Sequence, residues 1–333
     1  MMVESVSAVC LLSGGLDSAL ATRLMQEQGI RVIAVSFMLP FRQAADSGEG
    51  SAPRRVAASL GVDLLSIALG EDYMEVIRNP DHGYGSNVNP CIDCHIHMLK
   101  QAKRIMMTEG ASFVVTGEVV GQRPMSQRGD VLRRIAKLSG LEGLLLRPLS
   151  ARLLEPTVPE TKGWVRREAL LAISGRSRKE LMRLAAEKGI TGYSTPAGGC
   201  LLTDPAFALR VRDLMTHGML TLGEMQRLTV GRHFRLPQGS KLIVGRNQAD
   251  NEALASRVRP ADTVLTTPEC PGPTAVLSGE EAASEEGLAA AIVARYSDDR
   301  HKNLVRIRIV AGDSERVEDV VPLDPEAARR MMI

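Results

Sequence analysis

Aromatic residues are the scarcest class in this 333-residue chain: one Trp, four Tyr and five Phe, 3% in all. Its core must therefore rest on Leu, Val, Ile, Ala and the 15 Met. No apolar run approaches the roughly 20 residues with which a helix spans a bilayer, so no membrane-spanning helix is expected. The first residues carry no basic region ahead of their short apolar stretch, so a secretory leader is not expected and the cytoplasm is the expected location. In that reducing setting disulfide staples are disfavoured, and the five Cys become candidates for chemistry where they cluster. A Walker loop, GxxxxGK[ST], is missing, as are internal repeats and any low-complexity tract longer than the loop 43–53. What remains is 44% hydrophobic and 24% charged, ordinary for a folded chain and long enough for two or three domains.

The net charge of +2 is unevenly spread. Acidic and basic residues cancel over 1–150, 15 against 15. Residues 151–250 hold 16 basic and 9 acidic side chains, and 251–333 hold 10 and 15. A basic middle is the footprint of a polyanion-binding surface, although charge alone suits a solvated helix face equally well.

Residues 6–12 read as a buried strand ended by Ser-Gly-Gly, and 17–28 as a helix stopped by Gly29. Strands near 32–37, 63–68 and 113–116 alternate with helices near 53–60 and 96–108. This spacing predicts a doubly wound α/β domain with a mostly parallel sheet over 1–150. From 151 to 229 helical signals dominate, with amphipathic stretches at 176–189 and 205–216. From 230 to 333 short β-type runs (KLIVG, TVLTT, TAVLS, LVRIRIV) surround an Ala-rich helix near 281–296, predicting a small α+β domain.

The strand–Ser13-Gly14-Gly15-Leu16-Asp17-Ser18–helix junction is an anion cradle. Glycines let the backbone approach phosphates, and the free amides and dipole of the helix start point at them. Ser13 and Ser18 add hydroxyl donors. Asp17, a poor phosphate ligand, suits Mg²⁺ or the fixing of the loop. An ordinary tight strand–helix turn is the bland alternative. The loop resembles that of the pyrophosphate-loop ATP pyrophosphatases, an adenine nucleotide alpha hydrolase-like fold. That resemblance implies ATP, transfer of AMP with release of pyrophosphate, and an adenine against Ser36, Phe37 and Met38.

Cys91 and Cys94 form N-P-C-I-D-C before the predicted 96–108 helix, and Cys200 lies in T-P-A-G-G-C-L-L. Three chemistries fit: a persulfide or disulfide relay from thiolates at a helix start, an iron–sulfur cluster on three thiolates, and zinc with help from His95 and His97. Histidines at a helix start are more often simply exposed. Cys10, in the first strand, reads as a small buried hydrophobe.

The stretch 91–127 resembles the catalytic domain of the tRNA 4-thiouridine synthetases, whose nucleotide-site motif maps to Gly117, Glu118, Gln122 and Gln127, with one extra residue before Ser126-Gln127. The N-P-x-x-x-C and G-x-C-type pairing is also similar to the tRNA 2-thiouridine synthetases, with Cys94 and Cys200 as their two cysteines. The additional Cys91 resembles the three-cysteine branch, which implies a [4Fe–4S] cluster on Cys91, Cys94 and Cys200. These resemblances imply catalytic roles for Asp17, Cys94 and Cys200 in thiolating a tRNA uridine, and a cysteine desulfurase or inorganic sulfide as sulfur donor. The tRNA-binding region that precedes the loop in 4-thiouridine synthetases has no counterpart ahead of residue 13, so RNA is expected to be held elsewhere.

Arg166, Arg167, Arg176, Arg178, Lys179, Arg183, Arg210 and Arg212 are candidates to follow an RNA backbone. The run 239–252 resembles the RNA-binding domain of NFACT-type proteins, which makes Lys241, Arg246, Asn247 and Asn251 candidate RNA contacts. A structural or homodimer-forming role is the alternative for this domain. Two other functions stand beside tRNA thiolation: a pyrophosphate-loop ligase or sulfurtransferase acting on a small molecule, and an RNA-binding redox sensor with a regulatory nucleotide site.

Overall fold

A computed structural model describes residues 6–41, 48, 50–194 and 200–333. The chain divides into two compact units, Met1–Thr203 and Asp204–Ile333. Residues 151–203 thus join the α/β sheet, and 204–229 join the C-terminal strands. The division thus falls inside the 151–229 extension expected from the sequence.

In the first unit the strands are β1 (Ser7–Leu11), β2 (Arg31–Met38), β3 (Leu64–Ala68), β4 (Phe113–Val115) and β5 (Leu145–Leu146). All neighbours are parallel, in the order β3-β2-β1-β4-β5. The helices are α1 (Leu16–Glu27), α2 (Ala52–Leu60), α3 (Glu71–Arg78), α4 (Cys91–Thr108), α5 (Gly129–Leu138), α6 (Val158–Thr161) and α7 (Lys179–Glu187). Alternation along β1 splits the core into two layers, as a sheet covered on both faces requires. Ala8 and Cys10 pack with Leu16, Leu20, Val56 and Leu181 on the α1/α2/α7 side. Val9 packs with Ile96, Leu99, Ala102 and Ile135 on the α4/α5 side. The doubly wound parallel sheet matches the expected fold class.

In the second unit, α8 (Pro205–Thr216) and α9 (Leu222–Arg227) precede β6 (Arg232–Arg235), β7 (Lys241–Val244), α10 (Gln248–Ala255), β8 (Thr263–Thr266), β9 (Ala275–Ser278), α11 (Ala282–Arg295), β10 (Val305–Ala311), β11 (Ser314–Val320) and α12 (Pro325–Arg330). The six strands form an antiparallel sheet in the order β11-β10-β8-β9-β7-β6. One face buries Ala289, Ala290, Ile292 and Val293 of α11 against Leu242, Leu265, Leu277 and Ile307. Buried ion pairs brace this unit. Arg227 is fully covered and pairs with Glu224 and Asp262.

Candidate nucleotide and thiol site

The strand order reverses between β1 and β4, and the crevice beyond the carboxyl ends at such a switch point is where open α/β sheets bind ligands. The loops leaving β1 and β4 are the Ser13–Ser18 run and the Thr116-Gly117-Glu118 run. They lie against each other. A Cβ on Gly117 would fall 2.5 Å from the Asp17 carbonyl carbon and the Ser18 nitrogen, so only glycine allows this approach. Gly14 is constrained in the same way. Its φ is +82°, and an added Cβ would meet the Pro53 nitrogen at 2.5 Å.

Within the loop, Ser13 N–H donates to Ser18 Oγ (3.2 Å), and Ser18 Oγ donates to the Gly15 carbonyl (2.9 Å). These bonds curl the backbone around the first turn of α1, whose amides have no partner inside the helix. Asp17 Oδ1 is buried and has no hydrogen bond among the described residues. The nearest cation is Arg178, with Nη2 3.9 Å away and its own buried Nε unpartnered. An acceptor-only oxygen left in this state is costly unless a cation or a polar ligand completes it, so Asp17 fits a Mg²⁺–nucleotide pair. Phe37 and Met38 are half-buried at the carboxyl end of β2, with Ser36 buried before them.

The sequence grouped Arg178 with cations that track RNA; the structure turns it to the phosphate loop. No local pattern marks that role, because the contact joins segments far apart in the chain. Arg167 and Arg183 pair with Glu160 and Glu187, so the basic middle is partly neutralised within its own fold.

Cys91 and Cys94 are placed inside α4, not ahead of it, because the helix starts at Cys91 with Pro90 as its N-cap. Their i, i+3 spacing then puts both thiols on one face. The loop before α4 is clipped to the chain just after Cys200. Asn87 Nδ2 donates to the Thr203 carbonyl (2.8 Å), Val88 N–H donates to that of Leu202 (3.3 Å), and Thr203 donates back to the Cys200 carbonyl. Asn87 takes a left-handed φ of +58° to make this turn. The same returning segment reaches the phosphate loop, where Ser194 N–H donates to the Gly14 carbonyl at 2.9 Å. Residues 195–199, between these two anchors and including most of the Gly-rich loop of Cys200, lie outside the described residues.

The three thiols sense one another and share one cation, Arg123. Burial pushes Cys94 up to about 12 despite the hydrogen bond from Tyr73 (3.1 Å), and burial also raises Cys200. Cys91 differs. Burial would raise it too, but hydrogen bonding to His95 and Ser126, with His95 and Arg123 charges nearby, holds it at about 7. Behind it runs a buried chain: His95 Nδ1 to Glu118 Oε1 at 2.9 Å, and Glu118 Oε2 to Arg147 Nε at 2.8 Å. Burial opposes the charged imidazole, yet Cys91 and Glu118 carry His95 up to about 9. Burial likewise opposes the Glu118 carboxylate, and Arg147 together with His95 holds it well below the usual range.

This relay corrects one expectation. His95 is not an exposed helix-start histidine but a partly buried link, and His97 is also mostly covered. Glu118, expected at the nucleotide, has both oxygens engaged by His95, Thr116 and Arg147. Gln127 is buried and closes the 121–127 turn by accepting from the Arg123 amide, while Gln122 is half-buried in that turn. Among the described residues, no group of three or more His, Cys, Asp and Glu side chains surrounds a point where a metal ion would sit. In kind, three thiols within electrostatic reach of one another and of Arg123 are the donors a cluster would take.

Lys241, expected to contact RNA, is fully buried and held by Asp213 at 2.9 Å. Asn251 spends its amide on Thr274 and Gly272, and Asn247 caps α10. No helix among the described residues is long and apolar enough to cross a membrane.

A strand, a Ser-Gly-Gly cradle and a switch-point crevice give the first unit the form of a nucleotide-binding α/β domain. Residues 4–152 match the family described as thiamine biosynthesis protein (ThiI), and residues 231–332 match the NFACT protein RNA binding domain. The chain is thus similar to the first of these families over most of its first unit and to the second over most of its second unit. It is 27% identical over 199 residues to the bifunctional protein NifU/MnmA of Rubrobacter xylanophilus, covering 56% of this chain and 37% of that protein. It is 26% identical over 277 residues to the tRNA-specific 2-thiouridylase MnmA of Pelotomaculum thermopropionicum, covering 76% and 74%. A solved 4-thiouridine synthetase–RNA complex with bound ATP gives a TM-score of 0.36 at 21% identity, covering 56% of this chain and 52% of that one.

Proposed function

We propose that this chain is an ATP-dependent tRNA sulfurtransferase that adenylates a uridine carbonyl oxygen and exchanges it for sulfur. One observation carries the reading. Ser194 is bonded to the phosphate loop at Gly14, and Leu202 and Thr203, just after Cys200, are bonded to the loop that leads into α4. The activating and the sulfur-bearing groups therefore share one support.

The chemistry needs both. A uracil oxygen leaves poorly as hydroxide. Its attack on the α-phosphate of ATP expels pyrophosphate and turns that oxygen into part of an AMP leaving group. Ser13, the Gly14-Gly15 backbone and Ser18 cradle the phosphates, Asp17 holds Mg²⁺, and Arg178 adds positive charge beside them. A sulfur nucleophile then takes the carbon as AMP departs with the original oxygen. In a relay, Cys94 or Cys200 carries the sulfur as a persulfide supplied by a cysteine desulfurase. The other thiolate then attacks the carrier cysteine's sulfur, forming a disulfide and freeing the thiocarbonyl, and an external thiol reopens the pair. Cys91, Cys94 and Cys200 are the residues that would hold a [4Fe–4S] cluster, which when bound would supply an iron free of cysteine for an external sulfide. The Cys91 thiol, ready to ionise near neutrality, favours the three-thiol version.

Anaerobic incubation with ATP, Mg²⁺, a sulfur source and unmodified tRNA should yield AMP and thionucleoside in equal amounts, read by chromatography and mass spectrometry. Asp17→Asn should slow both by about 10²–10³-fold. Cys200→Ala should stop thionucleoside formation. AMP formation that ignores tRNA and follows a small molecule would replace this reading with the ligase. Colourless, iron-free protein after anaerobic reconstitution would select the relay.

A further inference from the structure

In the second unit a cleft of about 580 Å³ opens between the 245–251 turn, the 271–273 loop and the end of α11. Four arginines line it: Arg232, Arg246, Arg295 and Arg300. Arg246 is committed to Asp250, Nε to Oδ2 at 2.6 Å. The other three have no carboxylate partner among the described residues. Arg232 lies 4.8 Å over the Tyr296 ring, Arg300 donates only to the Ser297 carbonyl at 3.3 Å, and Arg295 stands in the last turn of α11. A single acid, Asp298, shares the lining.

By contrast, Arg306, Arg308, Arg316 and Arg259 of the same unit each have carboxylate partners. Residues 251–333 carry more acid than base, so a broad phosphate-binding face is not available to them. Three arginines without a carboxylate partner among the described residues are instead gathered in this concave place. Guanidinium groups match phosphate oxygens in a fixed fork, and a ring beneath Arg232 holds its plane without consuming its N–H donors.

We propose that this cleft is a phosphate-gripping site for an RNA strand, in which Arg232, Arg295 and Arg300 take adjacent phosphodiesters. The proposal rests on the reading that the substrate is an RNA, but it requires no particular modification chemistry. Sequence specificity is not expected from it, because phosphate contacts position a strand without reading its bases.

The test is fluorescence anisotropy of a labelled, unmodified tRNA titrated with the full-length chain across a range of KCl concentrations. Arg295→Ala/Arg300→Ala should weaken binding on the order of 100-fold at low salt and reduce the slope of log affinity against log salt by about 2. Arg295→Lys/Arg300→Lys should keep most of the slope while losing affinity, since charge is retained and the fork is not. Arg308→Ala, at a cation already paired with Glu315, should change neither. Unchanged affinity and slope in a double alanine variant with native circular dichroism and melting would overturn the proposal. So would tighter binding of a poly-glutamate peptide than of RNA, lost in the same variant. Thionucleoside formation, measured on the same samples, separates the two ideas. RNA held through the cleft with no thiolation would remove the enzymatic reading alone, and thiolation with a cleft indifferent to RNA would remove this one alone.

Discussion

Cys91 and Cys94 sit one turn apart, yet they differ by about five units in acidity, about 7 against about 12. Burial alone pushes both upward; the difference is His95, backed by Glu118 and Arg147. Between pH 7 and 9 the thiolate–imidazolium pair is the populated form, since Cys91 has lost its proton and His95 still holds one. Alkylation by iodoacetamide, mapped by mass spectrometry, should therefore mark Cys91 before Cys94 at pH 8. Its rate should rise through about pH 7 and change again near pH 9. His95→Ala should move the first transition upward, towards an ordinary thiol. Equal labelling of the two cysteines at pH 8 would show that this chain does not set their reactivity. The cysteines themselves were legible from their spacing. The chain behind them was not, because it joins residues from α4, the turn after β4 and the turn after β5, and no local pattern records a buried charge relay across three segments.

At the scale of elements, the strand–glycine–helix junction and the alternation of strands and helices were readable because each is a local event. A short apolar run ends at glycines, and an amphipathic stretch ends at a glycine in the left-handed region. The helices over 71–78 and 129–138 escaped notice because they are short, one starting at Glu71 and the other at Gly129, a residue that reads as a turn. The start of α4 was placed too late because Pro90, which reads as the end of the preceding loop, is itself the N-cap of the helix. What packing adds is visible at Gly117. The sequence assigned it to the nucleotide by resemblance; the structure gives it a mechanical reason, the contact with Asp17 and Ser18. Gly117→Ala must separate the β4 turn from the phosphate loop by displacing backbone, at a cost of about 1–3 kcal/mol. For a unit of this size that is a fall in melting temperature of roughly 2–12 °C. ATP binding, followed by calorimetry, should be lost with it. Retention of native affinity would mean that the two loops do not form one crevice.

At the scale of the whole molecule, the boundary near 230 follows composition, since β-type runs begin there, and the matched RNA-binding family also begins at 231. Physical independence is a different criterion, and buried charge decides it. Lys241 of β7 is wholly covered, and Asp213 of α8 neutralises it, with Arg235 on the same carboxylate. Asp262 is buried before β8, and Arg227 of α9 neutralises it, with Arg259 adding a half-exposed second contact. A fragment 230–333 would retain Lys241 and Asp262 while discarding Asp213 and Arg227. Breaking a buried pair by removing one partner costs about 3–5 kcal/mol, and two such losses rival the roughly 5–15 kcal/mol that holds a typical domain together. Residues 204–333 expressed alone should therefore melt cooperatively, whereas 230–333 should be unfolded or insoluble by circular dichroism. Single substitutions in the full chain give the same answer by a gentler route. Arg227→Ala should destabilise the second unit by about 3–5 kcal/mol in urea titration, and Arg227→Met, which fills the space but leaves buried Glu224 and Asp262 with only the half-exposed Arg259 as a partner, should recover little of it.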